Sequence, residues 1–151
     1  MTDTNTKKII SVDAMGGDKG PKAVLGGMNQ FLYQNGEDKV AFRLFGDSAR
    51  LKRMLAKYPR VARNCTVVHA PGVVRGTDKV RDVIRHAQDT SMYMAIKDVR
   101  EGNASAVVSA GNTGILMSLS KLMLKTTAGI SRPAITTMLP SGGGDSRVVV
   151  L

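Results

Sequence analysis

The strongest constraint on the fold is an order of elements that occurs twice, in which a short apolar strand runs into a glycine-rich turn and a helix follows at once. The first copy starts with the apolar residues 9–13 and continues through the turn at 15–20. The second starts with residues 106–109 and continues through 110–114. Because further strands and helices alternate along the chain, the sequence predicts an α/β sandwich with a largely parallel central sheet.

Apolar periodicity and glycine stop signals predict the other elements. A helix begins at Pro21, the first-turn position that proline tolerates, and ends near Gln34 before Asn35 and Gly36. Ser48 is the predicted cap of a basic helix. The remaining predicted helices cover residues 78–86, 90–101 and 115–125, and the remaining predicted strands cover residues 40–45, 66–69, 134–139 and 148–151, the last preceded by a turn at 141–145.

Length and composition indicate one domain, residues 1–151, because 151 residues with 42% hydrophobic content can bury a core. The sequence has no apolar run long enough to span a membrane and no signal peptide, so we expect a cytoplasmic protein. A single cysteine and two histidines make a structural metal or an internal disulfide improbable. Since the chain stops at Leu151 inside an apolar strand, we interpret it as the N-terminal part of a longer enzyme.

The formal net charge of +10 favours acidic partners, and nucleic acid is one of them. However, the chain has no Trp and only three Tyr and three Phe, and it lacks the aromatic and zinc-finger signatures of nucleic-acid-binding proteins. The basic residues between positions 50 and 63 fall in the predicted basic helix and in a predicted loop after it, and a solvated surface is their simplest interpretation. The alternative is a docking surface for an acidic protein, for which the candidate residues are Lys52, Arg53 and Lys57.

Both glycine-rich turns have the design of an anion site, in which glycines let the backbone approach a ligand and the free amides of a helix point outward. We call them the first glycine loop (residues 13–21) and the second glycine loop (residues 109–114). Neither has the spacing of a Walker A or dinucleotide loop. Because both follow strands, we expect them at the same sheet edge, where they form one pocket unless they are only structural turns. Asp13 and Asp18 are candidates to orient donors or hold a metal ion.

Three segments at residues 11–18, 109–114 and 129–134 resemble the motifs of the bacterial phosphate acyltransferase family in sequence, order and spacing. The resemblance covers about the first half of a typical member. Between residues 80 and 92 the chain departs from the family pattern, although Asp89, Ser91 and Met92 match it. The resemblance implies an α/β/α fold related to phosphotransacetylases and isocitrate-type dehydrogenases, a homodimer, and transfer of a fatty acyl group from acyl carrier protein to inorganic phosphate for phospholipid synthesis.

The resemblance also guides the choice of site residues. Phosphate is itself a nucleophile, so such an enzyme needs only to position it and to stabilise the oxyanion, without a cofactor or metal. Asn112 and Thr113 are the candidate catalytic residues. The candidate phosphate-binding residues are Asp13, Gly16, Gly17, Asp18, Ser109, Gly111, Gly114 and, in an anchoring role, Arg132. In the family, membrane-facing elements would fall after Leu151. The alternatives are a metal-dependent dehydrogenase of the related fold and a basic nucleic-acid-binding module.

Overall fold

The computed structural model describes residues 7–140 and 147–150. Strands and helices alternate over most of this length, as predicted. The strands are β1 (Lys8–Asp13), β2 (Val40–Gly46), β3 (Cys65–His69), β4 (Ala106–Ser109), β5 (Thr137–Pro140) and β6 (Arg147–Val150). The helices are α1 (Gly20–Asn35), α2 (Ser48–Leu55), α3 (Pro59–Arg63), α4 (Val80–His86), α5 (Ser91–Arg100) and α6 (Thr113–Leu124).

Four of the strands form a parallel sheet in the order β3-β2-β1-β4. Within it Asp13, the last residue of β1, is paired with Phe45 of β2 on one side and with Ser109 of β4 on the other. The carboxyl ends of β1 and β4 therefore lie side by side. This arrangement confirms the predicted parallel sheet. Strands β5 and β6 form a separate antiparallel pair.

Helices cover the two faces of the sheet, so the fold is a three-layer α/β/α sandwich. On one face Val12 of β1 packs in a core with Leu25 of α1 and Leu51 of α2. On the other face α5 packs against β1, β2 and β4 and is followed outward by α4 and α6. Because side chains alternate along a strand, Ser11 and Asp13 face α5 while Val12 faces α1.

The α5 face of the sheet contains an ion pair between a buried carboxylate and a half-buried arginine. Asp98 of α5 is 4% exposed, and its Oδ2 accepts hydrogen bonds from Ser11 Oγ at 2.5 Å and from Arg43 Nε at 2.8 Å. These contacts join α5 to β1 and β2. A buried carboxylate is stable only when hydrogen bonds and a cation compensate for the loss of water, and Asp98 has both.

Two local predictions were wrong. Asp47, not Ser48, caps α2, because the helix begins one residue earlier than predicted and the Asp47 side chain accepts a hydrogen bond from the Arg50 amide. The segment after the basic helix was expected to be a loop, but it forms α3, which starts at Pro59. The predicted turn at 141–145 lies outside the described residues.

The predicted glycine stops are confirmed: Gly36 follows α1 with φ of 84°, and Gly102 follows α5 with φ of 78°. The predicted strands at 40–45, 66–69 and 106–109 match β2, β3 and β4 within one residue. Within the described part of the chain, no helix has the length and apolar character needed to cross a membrane.

Candidate anion-binding site

Asp13 is the centre of the polar structure at the carboxyl edge of the sheet. Its side chain is 1% exposed. Oδ1 accepts a hydrogen bond from Ser91 Oγ at 2.6 Å and, at 3.2 Å each, from the amides of Met15 and Gly16. Oδ2 accepts from Ser109 Oγ at 2.7 Å. One carboxylate thus holds the first glycine loop, the start of α5 and the end of β4 together.

Ser109 extends this network into the second glycine loop, because its Oγ also accepts a hydrogen bond from the Gly111 amide at 3.0 Å. The two glycine loops are therefore connected through two side chains, Asp13 and Ser109. This connection confirms that the loops lie together at one edge of the sheet. The amides of Gly16 and Gly111 donate hydrogen bonds to Asp13 and Ser109 and are therefore not available to a ligand. These two glycines shape the loops.

The glycines allow the two loops to touch. A Cβ atom added at Gly16 would lie 2.6 Å from Asp13 Oδ2 and 2.8 Å from the Gly111 nitrogen. Gly17 has φ of +80°, and a Cβ there would lie 2.7 Å from the Ala110 carbonyl oxygen. Both positions therefore require glycine. Gly16 requires it because there is no space for a side chain, and Gly17 requires it both for space and for its positive φ. At Gly114 the nearest atom to an added Cβ is Asn112 Oδ1 at 3.4 Å, so that position is much less restricted.

Asn112 caps α6. Its Oδ1 accepts a hydrogen bond from the Ile115 amide at 3.0 Å, and its Nδ2 donates to the Gly76 carbonyl oxygen at 3.2 Å. The Thr113 and Gly114 amides belong to the first turn of the helix and have no carbonyl partner within it. Together with the positive end of the helix dipole, these amides make the start of α6 suitable for binding an anion.

A cavity of about 340 Å³ lies between the two glycine loops. It is lined by Gly17 and Asp18 from the first loop, by residues 110–112 from the second, and by residues 73–76. Among the described lining residues Arg75 is the cation and Asp18 the carboxylate. The cavity thus combines a cation with nearby backbone amides, which is the combination that binds phosphate.

Two parts of this site were not predicted from the sequence. Residues 73–76 have no motif, and they reach the cavity because Gly72 pairs with Thr90 and Asn112 holds Gly76. Ser91 was not among the candidate site residues, although its match to the family pattern was a usable signal. Its Oγ contact with Asp13 explains why a serine is suitable there.

Other candidates lie outside the cavity. Thr113 is exposed beside it at the start of α6, and Arg132 is exposed and is not one of its lining residues. Burial raises the pKa of the Cys65 thiol, which makes it a poor nucleophile near neutral pH. Among the described residues, no group of three or more His, Cys, Asp or Glu side chains is placed to hold a metal ion.

The basic residues of α2 form a separate surface. Lys52, Arg53 and Lys57 are exposed. Around α3 the positive charge is lower, because Glu37 Oε1 lies 3.2 Å from Arg60 Nε and 3.1 Å from Arg63 Nη2. A hydrogen bond from Asn64 and these two arginines lower the pKa of Glu37. The uncompensated part of the basic surface is therefore centred on α2.

The fold and the site define a class: an α/β/α protein whose two glycine loops meet at the carboxyl edge of a parallel sheet and line a cavity together with Arg75. The model of a family described as "Fatty acid synthesis protein" matches residues 8–151. The chain belongs to this family, in agreement with the resemblance of its motifs.

Curated relatives agree with this assignment. The chain is 43% identical over 140 residues to a phosphate acyltransferase of Maricaulis maris, which covers 93% of this chain and 40% of the relative. It is 42% identical over 143 residues to one of Rhodospirillum rubrum, covering 95% of the chain and 40% of the relative. It is also 42% identical over 153 residues to one of Neorickettsia sennetsu, covering 100% and 43%. The chain spans about two fifths of the length of these relatives.

Proposed function

We propose that this chain carries the phosphate-binding site of a phosphate acyltransferase, which transfers a fatty acyl group from acyl carrier protein to inorganic phosphate in phospholipid synthesis. The observation that supports it most is the joining of the two glycine loops by Asp13 and Ser109 around a cavity with Arg75 at its wall. The names of the relatives and the description of the family favour acyl transfer over a dehydrogenase or a nucleic-acid-binding module.

The proposed reaction needs little from the protein beyond positioning and electrostatics. An oxygen of hydrogen phosphate attacks the thioester carbonyl carbon, the carbon–sulfur bond breaks, and the phosphate proton ends on the departing thiol. The products are acyl phosphate and free carrier protein. Phosphate binds where the cavity adjoins the start of α6, with Arg75 at the cavity wall and the Thr113 and Gly114 amides next to it, so that the attacking oxygen is desolvated and oriented.

Asn112 and Asp13 have different proposed roles. Asn112 fixes the start of α6 and lines the cavity, so it is the proposed side-chain donor to the developing oxyanion. Both carboxylate oxygens of Asp13 already accept hydrogen bonds from the protein, so neither is available to a ligand. Asp13 therefore acts as a positioning residue that sets the distance between the loops.

The finer parts of the proposal concern partners and location. The exposed cations of α2 suit the docking of an acidic carrier protein, because opposite charge accelerates encounter. We further propose a homodimer in the cytoplasm, with peripheral membrane association through segments that the family carries outside the matched region. We assign no cofactor to the reaction.

The reaction is tested by incubating the purified protein with acyl carrier protein thioester and phosphate, and by trapping acyl phosphate with hydroxylamine. The proposal predicts that hydroxamate forms only when phosphate is present. The part of the Maricaulis maris relative outside the match is co-expressed in a parallel sample, so that both portions of the enzyme are available. Thioester loss at a rate independent of phosphate in both samples would exclude the proposed reaction.

A further inference from the structure

A second, larger cavity lies on the α1 face of the sheet. This apolar groove has a volume of about 720 Å³ and runs between α1 and the strands β2, β1 and β4. Its walls are mainly aliphatic and aromatic and include Val12, Val24, Met28, Phe31, Phe42 and Val108. The volume lies within the range of small-molecule sites, which are also mostly apolar.

The groove leaves apolar side chains open to solvent. Val108 of β4 is 54% exposed and Phe31 of α1 is 41% exposed, although both lie at its wall. Parallel sheets are normally covered on both faces, and contiguous exposed apolar surface marks a binding site more often than scattered residues do. On this face Val12 of β1 is buried against α1, whereas Val108 of β4 stays about half exposed among the described residues, so the open apolar surface lies on the β4 side of the groove. An apolar occupant therefore fits the groove.

The groove adjoins the anion cavity. Gly17, Asp18 and Ala110 line both spaces, so the contact between the two glycine loops forms their common rim. A molecule with an anionic head and an apolar tail could place its head beside α6 and its tail along α1. An acyl phosphate is such a molecule.

We propose that the apolar groove binds the hydrocarbon chain of the acyl substrate while the anion cavity binds the phosphate. This inference rests on the proposed function, since that function supplies both the phosphate and the acyl group. It adds a binding site formed by α1, β1 and β4. The chain length of the substrate is then set by how far the tail extends along α1.

Two neighbouring glycines of α1 provide a matched test. Gly27 lines the groove and Gly26 does not, and a Cβ added at either one meets no atom within 4 Å. Gly27→Trp fills the groove, whereas Gly26→Trp places the same side chain away from it. Both changes replace a helical glycine, so they alter helix propensity in the same direction. A circular dichroism melt of each variant checks that it is folded.

The experiment measures displacement of the fluorescent fatty acid cis-parinaric acid by octyl, decyl and dodecyl phosphate. The chain has no tryptophan, so the unsubstituted protein adds little fluorescence of its own. We expect affinity to rise by roughly fourfold for each added methylene in the unsubstituted chain and in Gly26→Trp. In Gly27→Trp this dependence disappears, and dodecyl phosphate binds at least about tenfold more weakly.

Inorganic phosphate is titrated in parallel to separate this inference from the proposed function. If phosphate binds but alkyl phosphates show no dependence on chain length, the groove proposal fails and the proposed function stands. If phosphate does not bind at all, the proposed function fails as well.

The same samples test other occupants of the groove. Equal chain-length dependence in the two tryptophan variants would overturn the proposal. So would a change of oligomeric state in Gly27→Trp alone, which would make the groove a contact between copies. Displacement of the probe by the part of the Maricaulis maris relative outside the match would assign the groove to polypeptide instead.

Discussion

Two buried aspartates lie on the same face of the sheet and have different surroundings. Asp98 is compensated by Arg43, a cation, and by the Ser11 hydroxyl. Asp13 has no cation among its hydrogen-bond partners in the described residues and instead accepts from two hydroxyls and two amides. The first arrangement joins a helix to two strands. The second joins the two glycine loops of the candidate site, so one carboxylate connects elements of the fold and the other connects the loops.

The largest effects are expected from removing these carboxylates. Asp13→Ala leaves two buried hydroxyls and two amides without their acceptor, and we expect a loss of about 3 kcal/mol in the free energy of unfolding. Asp98→Ala leaves the Ser11 hydroxyl and Arg43 without their acceptor, and because Arg43 is about one-third exposed and can be solvated we expect a loss of about 2 kcal/mol. Urea denaturation of both variants measures these values.

Phosphate affinity then distinguishes the two aspartates. The milder variants Asp13→Asn and Asp98→Asn are compared by calorimetric titration of phosphate at a temperature where both are folded. We expect at least a tenfold loss of affinity for Asp13→Asn and less than twofold for Asp98→Asn. Equal losses in both variants would mean that Asp13 has no special relation to the site.

The next largest effect concerns the close packing around Asp13. Gly16→Ala forces a Cβ to within 2.6 Å of Asp13 Oδ2 and 2.8 Å of a backbone nitrogen, and we expect it to cost about 2–3 kcal/mol of stability. Gly114→Ala is the control, because the nearest atom to its Cβ lies at 3.4 Å. Thermal melts should show Gly114→Ala within about 0.5 kcal/mol of the unsubstituted chain. A similar melt for both alanine variants would contradict the observed loop contact.

A smaller effect is expected at Asn112. Asn112→Ala removes the cap of α6 and should cost about 1 kcal/mol of stability, because the Ile115 amide loses its acceptor. It should also weaken phosphate binding by about tenfold, since Gly76 and its neighbour Arg75 lose their attachment to the site. Asn112→Asp retains the cap and loses the donor to Gly76, so it separates the two roles. Unchanged phosphate affinity in both variants would remove Asn112 from the site.

The sequence predicted the fold well because its signals are local. Glycine stops, a proline at a helix start and short apolar runs lie within a few residues of the elements they define. The meeting of the glycine loops was also predictable, because parallel strands bring their carboxyl ends to one edge. Long-range pairs were not: Ser11 and Asp98 are separated by 87 positions, and Asn112 and Gly76 by 36. Neither pair has a spacing that marks it, so only the folded chain identifies it.

The smallest effect on the fold is expected at the basic surface of α2, which neither aspartate contacts. Reversing Lys52, Arg53 and Lys57 to Glu should leave stability nearly unchanged, because these side chains are exposed. It should slow association with acyl carrier protein by roughly tenfold at low salt and flatten the salt dependence. Stopped-flow binding at several salt concentrations measures both. A reversed variant that associates as fast as the unsubstituted protein would show that docking uses another surface.

We propose that the two glycine loops form one anion site. A phosphate titration of the ¹⁵N-labelled chain, followed by amide chemical shifts, tests this directly. We expect the amide signals of Gly17, Thr113 and Gly114 to shift together with a single dissociation constant for phosphate, and we expect Asp13→Asn to weaken all three responses equally. Shifts confined to one loop, or different dissociation constants for the two loops, would contradict it.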